Sequence, residues 1–489
     1  MQKSLVPVVR SQVRVLPDAK RVISKPFLPG GPLFPDGRNR MERILERIMA
    51  LSEETVAATL AETYERFAAR HVDFSSVIEQ HFSLAASRLP QLEQLSVERR
   101  RLIGAYFTHE YAIDAAALTN PSLVRAPHQE GVAPDALRFI MSLRAIGEGH
   151  ISSIQFRSGI IDGQGQIVLD EASRFVRTAM HRPPTYDKST FCSKLSELDA
   201  YSETAKQVLE PLPERFTLEQ LETRLLEVKH AAPTDQVLQA THTIHWLASS
   251  NYESTFHGDS QISERVIFPA APTESQGMED ARFVRFQYDD GSVTYFAPYT
   301  AYDGHRILPQ LIETRDFMTF RVTTLNGSAA INKGIALFPR KIDGVFMALA
   351  RLDNENNFLI RSDNVRFWHD RQIIQTPRAP WELVQLGNCG SPIETEAGWL
   401  VITHGVGPLR RYALGALLLD LHDPSKVIGC LEESLLSPDE DERDGYVPNV
   451  VYSCGSMSFG DLLVLPYGFS DVGARIATVK ISDLLRALS

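Results

Sequence analysis

"KIDGVFMALAR", residues 341–351, decides how the chain is read: an Asp-Gly turn signal runs straight into a short apolar segment. The same unit recurs on both sides. "RFIMSL" (138–143), "ARFVRFQY" (281–288), "VTYFAPY" (293–299), "GWLVIT" (398–403), "LGALLLDL" (414–421) and "LLVLPYG" (462–468) are short apolar runs, and "DDG", "YDGH" and "HDPSK" are the turns among them. Many short strands with regular turns predict a mainly β architecture (a barrel, sandwich or propeller) and not a parallel α/β sheet. Strand rhythm alone leaves those three open.

Outside that pattern the period changes. "PFLPGGPLFPDG" (26–37) reads as a loop, and from there to about residue 113 apolar residues fall at helical spacing. In "NRMERILERIMAL" (39–51) Met41, Ile44, Leu45, Ile48 and Leu51 form one stripe with charges opposite. Further helices are expected near 53–70, 75–88 and 97–117. Another runs from about 217 to 250; it opens with Thr217 and Gln220 at capping-box spacing and buries Leu218, Leu221 and Leu225. Stripes of this kind must be covered. The N-terminal helices are therefore expected against the β domain or against another copy of the chain, a homo-oligomer.

The 489 residues are 43% hydrophobic and 23% charged, ordinary for a globular protein with a large core. A formal net charge of -11 argues against a nucleic-acid surface. Cys192, Cys389, Cys430 and Cys454 form no CxxC pair, which suits a reducing compartment. The N-terminus lacks the apolar core of a signal peptide, and no run of about 18 uncharged apolar residues occurs. The expectation is a cytoplasmic protein with neither a nucleic acid nor a membrane as partner.

"SQGMEDARFVRF" (275–286) places Glu279, Asp280 and Arg282 at the mouth of a predicted strand. Strand alternation would put Asp280 and Arg282 on one side, about 6.5 Å apart, and Glu279 on the other. One reading is a structural ion pair; the other is a proton donor beside a fixed positive charge.

Seven stretches in order, "GMEDARF", "YTAYDG", "NKGIALFPRKIDGVFMALAR", "GSPIETEAGWLVITHG", "GALLLDLHDPSKVIG", "GYVPNVVYSCG" and "LPYGFSD", resemble glycoside hydrolase family 130 over roughly residues 118–487. The resemblance implies a five-bladed β-propeller over residues 118–489, with an N-terminal α-helical extension (1–117) and a helical insert at about 170–255. It also implies an enzyme acting on β-mannosides, by inverting phosphorolysis or, in one branch, by hydrolysis. Asp280 then matches the general acid, its proton relayed through a hydroxyl of the bound mannose. An inverting reaction sets that acid on one face of the sugar and a nucleophile on the other. Glu279 is then a structural partner or a sugar hydrogen-bond acceptor.

Lys333 and Arg351, with Arg144, match phosphate contacts. Asn120, Ser122, Arg282, Asp303, His404, Tyr467 and Asp471 match positions of the substrate funnel, and Tyr302, Trp399 or Tyr467 would serve as stacking platforms. Asp303 before Gly304 equally suits a tight turn. Glu394 cuts the other way: a carboxylate repels phosphate yet suits a general base for water. Two cations against one carboxylate favour phosphorolysis, which releases α-mannose 1-phosphate from a mannose-containing oligosaccharide and inorganic phosphate, with no cofactor and no metal. The alternatives are a hydrolase with Asp280 as acid and Glu394 as base, and a non-catalytic sugar-binding propeller.

Other signals are weaker. His242 and His245 have metal-compatible helical spacing but no third ligand. "SPDEDERDG" (437–445) lacks EF-hand spacing and reads as a solvated acidic loop. A nucleophilic Cys389 would need an activating base, and nothing in an inverting sugar transfer requires such a thiol.

Overall fold

The computed structural model describes residues 6–87 and 95–488. It contains two compact units, Asp18–Ala115 with Ser173–Thr178, and Met1–Pro17, Ala116–Ala172 and Ala179–Ser489. The end of the helix expected at 75–88 lies outside the described residues.

In the first unit, helices Arg40–Met49, Glu53–Phe67, Phe74–Ala86 and Val97–Tyr106 start at Asn39, Ser52, Asp73 and Ser96. Each of these side chains accepts a hydrogen bond from a backbone N–H of the first turn, which satisfies a donor the helix itself cannot. Of the predicted stripe, Met41 and Ile48 are buried, and Ile44, Leu45 and Leu51 pack on the same core. Two of the helices meet at Gly104, where a β-carbon would stand 1.9 Å from the Ile78 carbonyl oxygen. Helix was expected through residue 117, but the chain turns extended at Thr108 and pairs Thr108–Ala112 with Val22–Pro26. A buried Arg21–Asp114 ion pair at 3.1 Å lies beside that ladder.

The second unit is mainly antiparallel β. Its strands group into meanders: Ala117–Arg125, Leu137–Ile146, Ser152–Ile161 and Ile167–Leu169; Gly277–Glu279, Val293–Tyr302, Ile307–Thr314, Thr319–Thr324 and Tyr252–Thr255; Lys333–Leu337, Phe346–Arg351, Asn357–Ser362 and Asp370–Gln375; Gln385–Asn388, Gly398–Val406, Tyr412–Leu419 and Val427–Cys430; and Val451–Tyr452, Leu462–Phe469, Gly473–Lys480 and Val8–Val15. The last thus joins strands from both ends of the chain.

Apolar cores lie between successive meanders. Phe156 and Ile154 of the first share a cluster with Tyr295 and Ile312 of the second, on which the helical insert lays Phe191, Leu221, Ile244 and Trp246. Phe296 and Leu311 share one with Leu337 and Ala348 of the third. Leu349 and Leu359 share one with Trp399 and Leu417 of the fourth. Leu400 and Leu414 share one with Leu463 and Ala477 of the fifth, and Val464 and Ile476 share one with Leu118 and Phe139 of the first.

The insert's helices are Lys188–Glu197, Glu203–Leu209, Leu218–Ala231 and Asp235–Ser249. The Thr217–Gln220 capping box forms in both directions, and Leu221 and Leu225 are buried as the spacing predicts. The acidic run at 437–445 departs from its reading as a solvated loop. Glu442 is fully buried, accepting from the Tyr467 hydroxyl and from Arg475 Nη1, each at 2.7 Å. Charge composition cannot register one carboxylate turned inward to meet buried donors.

Candidate active site

Lys333 opens one strand and Arg351 closes the next, and the antiparallel ladder sets them directly opposite each other. Their eighteen-residue separation is thus a strand, a turn and a strand folded back on themselves. Around this pair lies a cleft with space of about 250 Å³, lined by Asn120, Arg144, Glu279, Asp280, Lys333, Arg351, Arg410, Tyr412, Val447, Val450, Tyr452 and Asp471. Loops and strand ends of every meander reach it.

Asp280 follows strand Gly277–Glu279 with φ 55°, so the chain leaves the extended region there and pairing resumes only at Val284. The expected alternation of Asp280 and Arg282 on one strand face does not hold, because a left-handed residue breaks the two-residue period. Asn120 (φ 49°), at a bulge in strand Ala117–Arg125, and Asp471 (φ 48°) are left-handed as well. Three polar cleft residues thus sit in the left-handed region, which asparagine and aspartate enter more readily than other side chains and which recurs at functional sites. Asn120 Oδ1 is buried with no hydrogen-bond partner among the described residues, an acceptor suited to a ligand hydroxyl.

Glu279 bridges two cations. It accepts from Arg144 Nη2 and from Lys333 Nζ, each at 2.7 Å. Burial pushes its pKa up, but Arg144 and Lys333 outweigh burial and hold it below the ordinary carboxylate value. Asp471 goes the other way: burial raises it, Asp280 adds to the rise, and Arg144 and Arg410 oppose it.

Arg351 rests on His404. Arg351 Nη1 lies 3.3 Å from His404 Nε2, and an arginine only donates, so Nε2 is the acceptor. His404 Nδ1 therefore carries the proton and donates to the Asn388 carbonyl at 3.2 Å. Burial first, then the charges of Arg351 and Arg282, hold this imidazole well below its usual pKa and keep it neutral. Glycine at 387 makes the stack fit, since a β-carbon there would lie 2.6 Å from the imidazole.

Arg282 is buried behind the cleft. It donates to the Asn388 carbonyl at 2.8 Å, to Asn388 Oδ1 at 2.5 Å and to the Tyr452 hydroxyl at 2.8 Å. Its geometry makes it a tie between strands, with no face toward the cleft.

Other sequence candidates lie elsewhere. Ser122 Oγ accepts from the Phe283 backbone N–H in the core. Asp303 holds its own turn through His305 N and Arg306 N and accepts from Trp246 Nε1 at 3.2 Å. Tyr467 is buried on Glu442, Trp399 is buried, and Tyr302 donates to the Gly304 carbonyl. The cleft's aromatics are instead Tyr412 and Tyr452. Glu394 is absent from the lining; it pairs with Arg340 through bonds of 2.8 and 2.5 Å. That bond, chiefly, holds its pKa below the ordinary value.

Glu394→Gln is accordingly expected to leave kcat/KM for the mannoside cleavage that the resemblance implies within about twofold, since a half-exposed ion pair is worth at most about 1 kcal/mol. Steady-state kinetics check this, and a loss of about a hundredfold or more, beyond what such a pair supplies, would return Glu394 to the chemistry.

Sequence reasoning missed Arg410, Tyr412, Val447, Val450 and Tyr452. Tyr452 stands inside one of the quoted motifs; Arg410 stands in a hairpin loop, where residue type alone carries no signal.

A family model described as beta-1,4-mannooligosaccharide phosphorylase matches residues 240–489. The 1,2-beta-oligomannan phosphorylase of Thermoanaerobacter sp. (strain X514) is 34% identical over 231 residues, 46% of this chain and 75% of that protein. The beta-1,2-mannobiose phosphorylase of Listeria innocua serovar 6a is 32% identical over 229 residues, 45% of this chain and 63% of that one. A solved structure of the Listeria innocua beta-1,2-mannobiose phosphorylase, in complex with beta-1,2-mannobiose, aligns with TM-score 0.47 and 21% identity over 77% of this chain and 93% of its own. The family match makes the chain a carbohydrate-active enzyme of the glycoside phosphorylase or hydrolase class. It belongs to glycoside hydrolase family 130. No helix among the described residues is long and apolar enough to cross a membrane.

Proposed function

We propose that the chain is an inverting β-mannoside phosphorylase that uses inorganic phosphate and releases α-mannose 1-phosphate. A phosphate oxygen attacks the anomeric carbon from the face opposite the leaving group and the glycosidic C–O bond breaks. A proton from Asp280, passed through a mannose hydroxyl, ends on the departing oxygen. No metal or other cofactor is needed. Asn120 grips a sugar hydroxyl, and Tyr412 or Tyr452 supplies an apolar ring face. The observation that carries the reading is electrostatic: Asp280 shares its cleft with four cations, Arg144, Lys333, Arg351 and Arg410, while Glu394 stays outside it. Such a site suits a phosphate dianion and deprives hydrolysis of the base expected for it.

The cyclic order of shared cores, each meander with the next and the fifth with the first, supports a five-bladed propeller as the scaffold. In this reading the helices before residue 117 are an extension of it, and the protein works in the cytoplasm. The test is incubation with β-1,2- and β-1,4-mannobiose, with and without phosphate, followed by ³¹P NMR. Sugar phosphate is expected only when phosphate is supplied. Free mannose formed at the same rate without phosphate would make the protein a hydrolase, and binding without turnover would make it a lectin-like propeller.

A further inference from the structure

Two of the four cleft cations are already engaged. Glu279 holds Arg144 and Lys333 through bonds of 2.7 Å each, so both are tied to a carboxylate, which offsets one of their two positive charges, before any ligand arrives. Of the remaining two, Arg351 faces a neutral imidazole, and Arg410 makes no hydrogen bond or ion pair among the described residues. A phosphate dianion calls for more than one uncompensated donor group, and a planar guanidinium offers paired N–H groups matched to phosphate oxygens.

The backbone supports the same conclusion. Arg410 sits in the hairpin Gly407–Arg411, closed by Gly407 N donating to the Arg411 carbonyl at 3.0 Å. Leu409 and Arg410 are both left-handed, each with φ 56°. The hairpin Gly147–Ile151 of another meander has the same form. It is closed by Gly147 N to the Ile151 carbonyl at 3.1 Å, with left-handed residues at Gly149 (φ 67°) and His150 (φ 59°).

Where that twin loop uses glycine, this one keeps a leucine that is 94% exposed and buries nothing by being there. A β-carbon restricts the backbone where glycine would leave it loose, at a cost in strain. The last left-handed residues of the two loops also differ in direction. His150 stacks on the exposed Tyr446 ring at 5.1 Å, whereas Arg410 lines the cleft, close enough for Asp471 to feel its charge.

We propose that Arg410, held by the left-handed Leu409–Arg410 turn, is the second guanidinium that grips the attacking phosphate, opposite Arg351. The assignment rests on the phosphorolysis reading given above. Arg410 keeps its proton throughout. It neutralises phosphate charge and orients the oxygen that forms the new bond to the anomeric carbon; the proton that leaves with the acceptor sugar comes from Asp280.

The experiment is calorimetric titration with inorganic phosphate, alongside steady-state kinetics, on wild type, Arg410→Asn and Arg410→Lys. Asparagine is the substitute of choice because it tolerates left-handed backbone, so the loop keeps its course. Loss of one charge-assisted contact is expected to weaken phosphate binding, and raise the phosphate KM, by about 10- to 100-fold. The mannoside KM should stay within about twofold, because a contact made only to phosphate leaves sugar binding intact. Lysine should recover part of the loss, keeping charge without the fork.

Wild-type phosphate affinity in both variants would overturn the role of Arg410 and leave the phosphorylase reading standing. Failure of the wild-type enzyme to bind phosphate at all would overturn both. An equal rise in mannoside and phosphate KM would make Arg410 a structural support and overturn the assignment.

Discussion

Asp280→Asn is expected to lower kcat for an unactivated mannobiose by about 10²- to 10⁴-fold, the span that a positioned general acid contributes. The substitution is nearly isosteric, and it suits the local backbone. Asp280 sits at φ 55°, and asparagine is among the few residues that enter this region at little cost. Asp280→Ala would mix a backbone penalty into the result; the amide keeps the shape and removes the acidic proton together with the carboxylate charge. Circular dichroism should be unchanged, and the mannoside KM should move little, since the lost interaction belongs to the transition state. A mannoside whose leaving group departs without protonation gives the sharper comparison. There the variant should retain most of the wild-type rate, because the acid is no longer required. More than about a tenth of wild-type kcat on mannobiose is far above what survives loss of an acid of this strength, and would remove Asp280 from that role.

How far such a site is legible in the sequence depends on whether a residue acts through chain neighbours or through distant ones. Lys333 and Arg351 came from the resemblance carried by "KGIALFPRKIDGVFMALAR", and the strand, turn and strand that set them opposite each other lie within that same stretch. The Thr217–Gln220 capping box was readable because three residues settle it. Asp280 came from its motif, but its position relative to Arg282 was misread, because the two-residue period assumes extended backbone and φ 55° breaks it.

Glu394, a candidate base, and Tyr467 and Ser122, candidate funnel residues, do not line the cleft. Arg340, Glu442 and the Phe283 N–H claim them instead, from positions 54, 25 and 161 residues away in the chain. No local pattern announces such partners. Arg410 is the converse case: the fold brings it to the cleft through a hairpin whose left-handed conformation falls on Leu409, a residue that gives no turn signal.

The same distance from local pattern makes Glu442→Ala the largest expected effect on stability, a loss of about 3–5 kcal/mol for breaking a buried charge cluster. The carboxylate is inaccessible to solvent and accepts from Tyr467, Arg475 Nη1 and Arg10 Nη2 at 2.7, 2.7 and 3.4 Å, and from the Asp439 N–H at 3.1 Å. Arg10 belongs to strand Val8–Val15 and Arg475 to its partner Gly473–Lys480, so one carboxylate clamps the two ends of the chain in a single sheet. Without it, the Tyr467 hydroxyl loses its buried acceptor, Arg10 keeps the Ser437 carbonyl and the half-exposed Asp439, and Arg475 keeps the half-exposed Asp441. Glu442→Gln, which keeps the shape and an acceptor but not the charge, should lose less.

The pH dependence has a fixed sign. Burial raises the Glu442 pKa, but Tyr467, the Asp439 N–H, Arg10 and Arg475 together bring it below its ordinary value. The ionised form is therefore favoured by folding. The stabilisation is complete above the unfolded carboxylate pKa of about 4.3 and is lost as pH falls through the lower folded value.

Hydrogen exchange resolves the effect in place. In Glu442→Ala the amides of Val8–Val15 and Gly473–Lys480 should lose protection by a factor matching the loss in urea stability, while those of Phe346–Arg351 lose less. A stability change below about 1 kcal/mol, the worth of an ordinary surface pair, would mean that the ladder and its apolar core hold the chain ends together without the buried carboxylate.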